Sequence, residues 1–484
     1  MNQEPLKVKR LPVRLSANAA LTITRLFWAG PDRARKVITR IAGLDDVAVS
    51  QLLAATRDQF SHLHLNLEDI FLSHYQQVAR RLEMTNQIGA ERKLLIGAYF
   101  TLEYAFASAA LFNPSMTPAV DQAGVEPGSL RFSMSLRAVG EGHLSSIIFR
   151  RGIIDATGNI SLEVAGPYHE PTRMAEHDEF RLAKFRARRA ISGVRDEVIE
   201  GVLHELDDSF SLQDVLRIVD RVQVRAQSAP HSDHEPHGVE WLTTCDYDIE
   251  TSSDGNITEL VLFPISEAES QGMEDMRLVR FTEDDGSQCY YGTYTAYNGR
   301  QVLPHLVEMP RPGFARIRML HGRCAKNKGL ALFPRRVQGK YMMSGRIDGE
   351  NLYILTSPSV RIWDQAVLVQ EPQFPWEFMQ IGNCGSPIET EAGWLLLTHG
   401  VGPMRHYCIG ATLLDRNDPT KLIGRLEEPL LMPTADERSG YVPNVVYSCG
   451  ALVHNGILVI PYGISDAATG FATVSLDDLL ARLC

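Results

Sequence analysis

Apolar and polar positions follow two rhythms along this chain. From about Asp45 to Gly97 apolar residues recur every three or four positions: Val47, Leu52 and Leu53, then Phe60, Leu63, Leu65, Ile70, Phe71, Tyr75 and Val78. That spacing predicts amphipathic helices, with another from Asn86 or Gly89 into Tyr99. Beyond about Phe100 the pattern changes to short apolar runs punctuated by Gly, Pro, Asn and Asp. Runs beginning at Arg131, Ser146, Glu259, Cys289, Lys340, Leu352, Trp394, Cys408 and Ile457 predict strands. So many short strands over residues 99–484 exceed one sandwich, whereas a propeller with four strands per blade absorbs them.

A further stretch, from about Pro171 to Gln227, returns to helical spacing. It is dense in mixed charge (Glu176, Asp178, Glu179, Arg181, Lys184, Arg186, Arg188, Arg189), as solvated helix faces are. The expected organisation is a helical region over residues 1–98 and a mainly β domain over 99–484, interrupted by a helical insertion at about 171–227. Both helical regions are candidates for contacts within a homo-oligomer.

Composition narrows the function classes. The chain has 484 residues, 44% hydrophobic and 22% charged, which is ample for a core and excludes a disordered chain. Its 48 Lys and Arg against 59 Asp and Glu give a net charge of −11. Such a polyanion is a poor ligand for nucleic acid or an anionic membrane. No apolar run is long enough to span a bilayer. The mildly basic start (Lys7, Lys9, Arg10, Arg14) leads into a stretch broken by Arg25, without a small-residue cleavage site, so no signal peptide is expected. Seven cysteines, spread singly with no C-x-x-C pair, predict free thiols in a reducing compartment, the cytoplasm by default.

No H-E-x-x-H, P-loop, G-x-S-x-G or dinucleotide fingerprint occurs. His231, His234 and His237 lie in a linker with Pro230 and Pro236, which prevent a helix that would align the imidazoles. A solvated loop is expected there, and no metal. The string Glu274-Asp-Met-Arg277 is compatible with a buried carboxyl oriented by a cation, and equally with a salt-bridged surface turn.

The C-terminal half places that string in a series. After Glu274-Asp-Met-Arg come Gly339-Lys-Tyr, Ser357-Pro-Ser-Val-Arg-Ile-Trp, Gly385-Ser-Pro-Ile-Glu-Thr and Gly393-Trp-Leu-Leu-Leu-Thr-His-Gly-Val. Gly410-Ala-Thr-Leu-Leu-Asp, Val442-Pro-Asn-Val-Val-Tyr and Tyr462-Gly-Ile-Ser-Asp complete it. In kind and order these motifs resemble glycoside hydrolase family 130, the β-mannoside phosphorylases and related mannosidases. Phe112-Asn-Pro-Ser and Ser135-Leu-Arg-Ala resemble its first-blade elements. Met276 replaces the family's proline, Ser386 another proline, and Thr398 a common tyrosine.

The resemblance implies a five-bladed β-propeller carrying an N-terminal helical extension and the helical insertion. It also implies reversible, inverting phosphorolysis of β-mannosides or β-manno-oligosaccharides to α-mannose 1-phosphate, with inorganic phosphate as co-substrate and no cofactor. Asp275 would be the proton donor, acting through a sugar hydroxyl. Lys340, Arg346 and His399, with Lys326, Asn327 and Tyr407, would hold phosphate. Asn113, Arg137, Glu274, Arg277, Trp363 and Asp466 would bind the sugar, with Tyr441 a further aromatic candidate. Two alternatives stand beside this reading. One is a β-mannosidase on the same scaffold, with Glu437 or Asp466 as base. The other is a non-catalytic sugar-binding or assembly protein.

Overall fold

The computed structural model describes residues 6–85, 87–171, 173–174, 180–181, 204–205, 209–210, 218, 246–250 and 256–483. Most of the insertion expected at about 171–227, and the linker with His231, His234 and His237, lie outside the described residues. Where that stretch is described it includes short strands and not only helix, Arg173–Met174 beside Tyr247–Glu250 and Phe180–Arg181 beside Ser209–Phe210.

Four helices precede the β region: α1 (Pro31–Ala42), α2 (Asp46–Phe60), α3 (Leu67–Arg81) and α4 (Ala90–Tyr99). Asp45 caps α2 by accepting the Ala48 N–H at 2.7 Å, satisfying a donor that the first turn leaves open. Ile41, Val49, Tyr75, Val78, Leu95, Ile96 and Phe100 form one apolar core. Gly97 lets α4 lie against α3, because a Cβ there would fall 1.8 Å from the Phe71 carbonyl oxygen. Arg92 ties the α1–α2 turn to α4, donating to the Ile41 carbonyl at 2.5 Å and to Asp46 at 2.8 Å.

The expectation of a helical region over 1–98 needs correcting at its start. Lys9–Arg10 and Thr22–Leu26 are strands. The first pairs with Ala468–Ser475 near the other end of the chain, and the second with Thr101–Ala105. Lys9–Arg10 is too short for a period-2 pattern and Thr22–Leu26 does not alternate, so their partners decide their state.

The rest is mainly β, arranged as antiparallel meanders in chain order. Ala110–Pro118, Leu130–Val139 and Ser145–Ile154 make the first; Gly272–Thr282, Gln288–Tyr297, Val302–Arg311 and Phe314–Met319 the second. One parallel pairing, Gly272 with Ser145, joins them in a single sheet. Next come Ala331–Leu332, Tyr341–Gly345, Leu352–Ser357 and Gln365–Gln370, then Gln380–Asn383, Trp394–Gly402, His406–Leu414 and Leu422–Arg425. The final meander runs through Val446–Tyr447, Ile457–Ile464 and Ala468–Ser475 and is completed by Lys9–Arg10.

Neighbouring meanders are hydrogen-bonded to one another. Leu278 N–H donates to Ser115 Oγ at 2.9 Å, Thr293 Oγ1 to the Leu330 carbonyl at 2.5 Å, and Asn383 Nδ2 to the Gly329 carbonyl at 2.7 Å. Tyr407 N–H reaches the Asn444 carbonyl at 3.0 Å, and Cys449 N–H reaches Pro114 in the first meander at 2.8 Å.

A repeated device introduces three of these units. Glu269, Glu377 and Glu437 each end a single 3-10 turn, are buried, and accept a backbone N–H from the residue three positions back. A buried carboxylate needs further donors. Tyr247 and Tyr294 serve Glu269, Arg425 serves Glu377, and Arg10 with Tyr462 serves Glu437.

Candidate active site

Residues of all five meanders line a cavity of about 770 Å³. Its walls include Asn113, Arg137, Glu274, Asp275, Arg277, Lys328, Arg346, Asn383, His399, Tyr407, Tyr447 and Asp466. A hollow of about 910 Å³ elsewhere, lined by Val120, Ile249, Ile257 and Phe314 among others, contains none of these residues.

Two β-bulges build one half. The register slips between Phe112 and Ser115 and again between Glu274 and Arg277, so each strand carries an extra residue there. Asn113 and Asp275 take left-handed backbone at φ 48° and 51°. Asn and Asp tolerate that region better than most residues, and a bulge re-aims its side chain. The two meet: Asn113 Nδ2 donates to Asp275 Oδ1 at 2.8 Å. Arg137 lies 3.5 Å from the same oxygen and 3.0 Å from Glu274, whose other oxygen takes Lys328 Nζ at 2.5 Å.

Arg277 works from behind. It donates to the Asp275 carbonyl at 2.8 Å, to the Cys384 carbonyl at 3.2 Å and to the Tyr447 hydroxyl at 2.7 Å, joining three meanders under the site. Three of its hydrogen bonds thus go to protein, and it orients Asp275.

Electrostatics separate the two aspartates. Burial pushes the Asp275 carboxyl up, but Arg137, Arg277, the Asn113 hydrogen bond and Lys328 together outweigh it and hold the group below its usual range. Asp466 goes the other way, to about 6, through burial and the charge of Asp275, against the pull of Arg137 and Arg405. Among the described residues no hydrogen bond or ion pair reaches the Asp466 side chain.

The other half holds Arg346, His399, Asn383, Gln380 and Tyr407. Burial, then the charges of Arg346 and Arg277, depress the affinity of His399 for a proton well below the ordinary imidazole value. It is therefore neutral, with Nδ1 donating to the Asn383 carbonyl at 3.2 Å and Nε2 facing Arg346 Nη1 at 3.5 Å. Tyr407 stacks on it at 6.0 Å. Arg346 has no carboxylate within ion-pair distance among the described residues, and its Nε is buried without a partner. Asn113 Oδ1, Arg137 Nε and Asn383 Oδ1 are likewise buried and unpaired. A cavity that leaves buried donors and acceptors unmatched on several walls is built for a polar ligand.

The structure thus gathers Asp275, Asn113, Arg137, Glu274, Arg277, Asp466, Arg346, His399 and Tyr407 around one hollow. It leaves six expected residues outside, Tyr441 among them. Lys340 sits in the exposed turn after Val337, before the strand Tyr341–Gly345, so the shared face expected for Lys340 and Arg346 does not form. Lys326 is exposed, and Asn327 turns its Oδ1 onto the Lys328 N–H at 2.8 Å. Trp363 is wholly buried in an apolar core with its Nε1 on the Val360 carbonyl at 2.9 Å. Glu437, one of the two candidate bases, is enclosed by Arg10 and Tyr462 and is not part of the cavity wall.

Lys328, Asn383, Arg405 and Tyr447 line the cavity without having been singled out from sequence. Lys328 is two positions beyond Lys326. Only the left-handed turn at Asn327 (φ 64°) decides which lysine points inward.

A family model described as beta-1,4-mannooligosaccharide phosphorylase matches residues 239–483. The chain belongs to glycoside hydrolase family 130. It is 33% identical over 225 residues to a 1,2-beta-oligomannan phosphorylase of Thermoanaerobacter sp. (strain X514), covering 44% of this chain and 72% of that protein. A beta-1,2-mannobiose phosphorylase of Listeria innocua is 30% identical over 259 residues, 51% of this chain and 71% of its own length. The solved structure of a Listeria innocua beta-1,2-mannobiose phosphorylase with beta-1,2-mannobiose aligns at a TM-score of 0.45 and 21% identity, covering 78% of this chain and 92% of that one. Among the described residues of this family 130 chain, no helix is long and apolar enough to cross a membrane, and no three His, Cys, Asp or Glu side chains gather as a metal site.

Proposed function

We propose that this protein is a β-mannoside phosphorylase that carries out reversible, inverting phosphorolysis and releases α-mannose 1-phosphate. One observation carries the reading: a single cavity opposes the Asp275 carboxyl to Arg346, a guanidinium without an acid partner among the described residues. An inverting displacement needs an acid on one side of the sugar and a nucleophile on the other. Phosphate arrives ionised, so it needs no base, but it does need cations to hold it against the reacting carbon.

In this reading phosphate accepts from Arg346 and Tyr407. Its oxygen forms the new bond at the anomeric carbon while the bond to the leaving sugar oxygen breaks. The proton for that oxygen comes from Asp275 by way of a sugar hydroxyl. The surrounding cations keep Asp275 ionised when no sugar draws on them. A bound sugar that draws on Arg137 and Lys328 weakens that pull and allows Asp275 to carry the proton. The meanders that hydrogen-bond in sequence, and the last back to the first, support a five-bladed propeller with the cavity on its axis.

The test is product release from β-1,2- and β-1,4-manno-oligosaccharides with and without phosphate. Release only with phosphate, and its loss in Asp275→Asn with ligand binding retained, is the expected result. Equal release without phosphate would favour the mannosidase reading, for which the unpaired Asp466 is the available base.

A further inference from the structure

Asp466 stands in the cavity wall, and among the described residues no hydrogen bond or ion pair holds its carboxyl there. Its place is therefore set by its backbone. Ser465 and Asp466 are the central pair of the hairpin turn between Ile457–Ile464 and Ala468–Ser475, closed by Ala467 N–H on the Ile464 carbonyl at 3.0 Å. Both are left-handed, at φ 48° and 52°. Turns of this kind favour Asn and Gly, and a serine in one persists only where its surroundings hold it.

Those surroundings are one short segment. Ser465 is wholly buried. Its Oγ donates to the Glu437 carbonyl at 2.6 Å, its N–H donates to the Val445 carbonyl at 2.9 Å, and its own carbonyl accepts from Val442 N–H at 3.1 Å. Gly440 permits the close approach, because a Cβ there would fall 2.3 Å from the Ser465 carbonyl oxygen. The start of the segment is fastened from the other end of the chain. Arg10 donates to both oxygens of the Glu437 carboxylate at 3.1 Å and to the Met432 carbonyl at 2.6 Å. The Tyr462 hydroxyl adds a bond of 2.6 Å to Glu437, and the pairing of Lys9–Arg10 with Ala472 and Thr473 fixes Arg10 itself. A continuous line of contacts thus runs from residue 10 to the residue before Asp466.

We infer that Ser465 and Arg10 are positioning residues of the candidate site: the Ser465 hydroxyl holds Asp466 in the cavity that also contains Asp275, and Arg10 fastens the Glu437 turn on which Ser465 rests. Neither residue lines the cavity. The consequence for turnover rests on the phosphorylase reading, in which Asp466 contacts the sugar, whereas the placement of Asp466 does not. Asp275 and Glu274 face Asp466 and disfavour its charge, and Arg137 and Arg405 favour it. A carboxyl released from the turn would move into water and titrate as an ordinary aspartate does.

The experiment is a set of double-mutant cycles on the full chain, read by urea unfolding midpoints across the pH range in which Asp466 titrates. Asp466→Asn is combined in turn with Ser465→Ala, Ser465→Gly, Arg10→Ala and Arg10→Lys. In the wild-type background Asp466→Asn raises the midpoint, and the gain fades as the pH falls through about 6. With Ser465→Ala the gain should fall by more than half and fade nearer the ordinary aspartate range. Ser465→Gly removes the hydroxyl while relieving the left-handed backbone, so the fold is kept, and it should do the same. Arg10→Ala should reduce the gain by a smaller amount and Arg10→Lys should restore it. A merely structural role would lower the midpoints and leave the gain and its pH dependence unchanged. That additive result in Ser465→Gly overturns the role of Ser465, and in Arg10→Ala that of Arg10. Turnover of manno-oligosaccharide with phosphate is the separate arm: Ser465→Gly should raise the sugar KM about tenfold and the phosphate KM less than about twofold. An equal rise in both overturns a role confined to Asp466. If the cycles couple but the wild type shows no phosphate-dependent turnover, the positioning stands and the phosphorylase reading falls.

Discussion

Replacing Arg346 with methionine should move stability and function in opposite directions. The guanidinium has one long contact among the described residues, 3.5 Å to His399 Nε2, and its Nε is buried with no protein acceptor. Leaving such a donor unmatched costs about 1–3 kcal/mol, whereas a methionine of similar length fills the space without that penalty. Arg346→Met should therefore be more stable than wild type in phosphate-free buffer, by about 1–2 kcal/mol. Phosphate reverses the order. A charge-assisted hydrogen bond contributes about 1.5–3 kcal/mol, so losing one weakens phosphate binding roughly 10- to 150-fold. At a concentration 100 times the wild-type dissociation constant, phosphate stabilises wild type by about 2.7 kcal/mol. A variant binding 100-fold more weakly gains only about 0.4 kcal/mol at that concentration. Urea unfolding midpoints measured across a phosphate titration, together with the phosphate KM, read both effects. A variant less stable than wild type without phosphate, or one stabilised by phosphate as strongly as wild type, would refute the reasoning.

Further outcomes follow from particular contacts. Asp466 holds its proton more tightly in the folded chain (about 6) than an ordinary aspartate, so its ionisation opposes folding above that pH. Asp466→Asn should thus add on the order of 2–3 kcal/mol at pH 7.5, a gain that shrinks as pH falls through 6 towards 4, measured by urea midpoints across pH. Gly382→Ala would place a Cβ 2.7 Å from His399 Cε1 and 3.4 Å from Arg346 Cδ. The expected result is a raised phosphate KM together with about 1–3 kcal/mol of destabilisation from overpacking. Arg10→Ala removes two bonds of 3.1 Å to the buried Glu437, which keeps only Tyr462 and the Thr434 N–H. It should lower the urea midpoint by the equivalent of about 2–3 kcal/mol at constant slope, against about 0.5 kcal/mol or less for the exposed Arg14→Ala.

Much of the candidate site was legible because its residues sit in short motifs at strand ends, where Gly, Pro and Asn mark the turns. Asn113, Arg137, Asp275, Arg346, His399 and Asp466 lie in or beside such motifs, and all line the same cavity. The candidates that lie off the cavity share a cause. Lys340 was placed by assuming an unbroken strand, but the chain turns there. Lys326 and Lys328 differ only in which side of a left-handed turn they occupy. Trp363 satisfies a sugar platform and an apolar core equally well by residue type. His399 reads as a cation in sequence, yet burial beside Arg346 keeps it neutral.

By itself the sequence determined what local chemistry controls: helical spacing over α2 to α4, the alternation and punctuation of the strands, the family, and an aspartate set beside an arginine. Those properties depend on residues within a few positions of one another. Tertiary structure alone decided which side chains share a cavity, because these come from strands up to hundreds of residues apart. It also decided the partner of Glu437, a buried acid near the C-terminus whose cation arrives from residue 10. Protonation followed from the same source. Asp275 and Asp466 are the same residue type, and they diverge because one is ringed by Arg137, Arg277 and Lys328 while the other is buried facing its neighbour's charge.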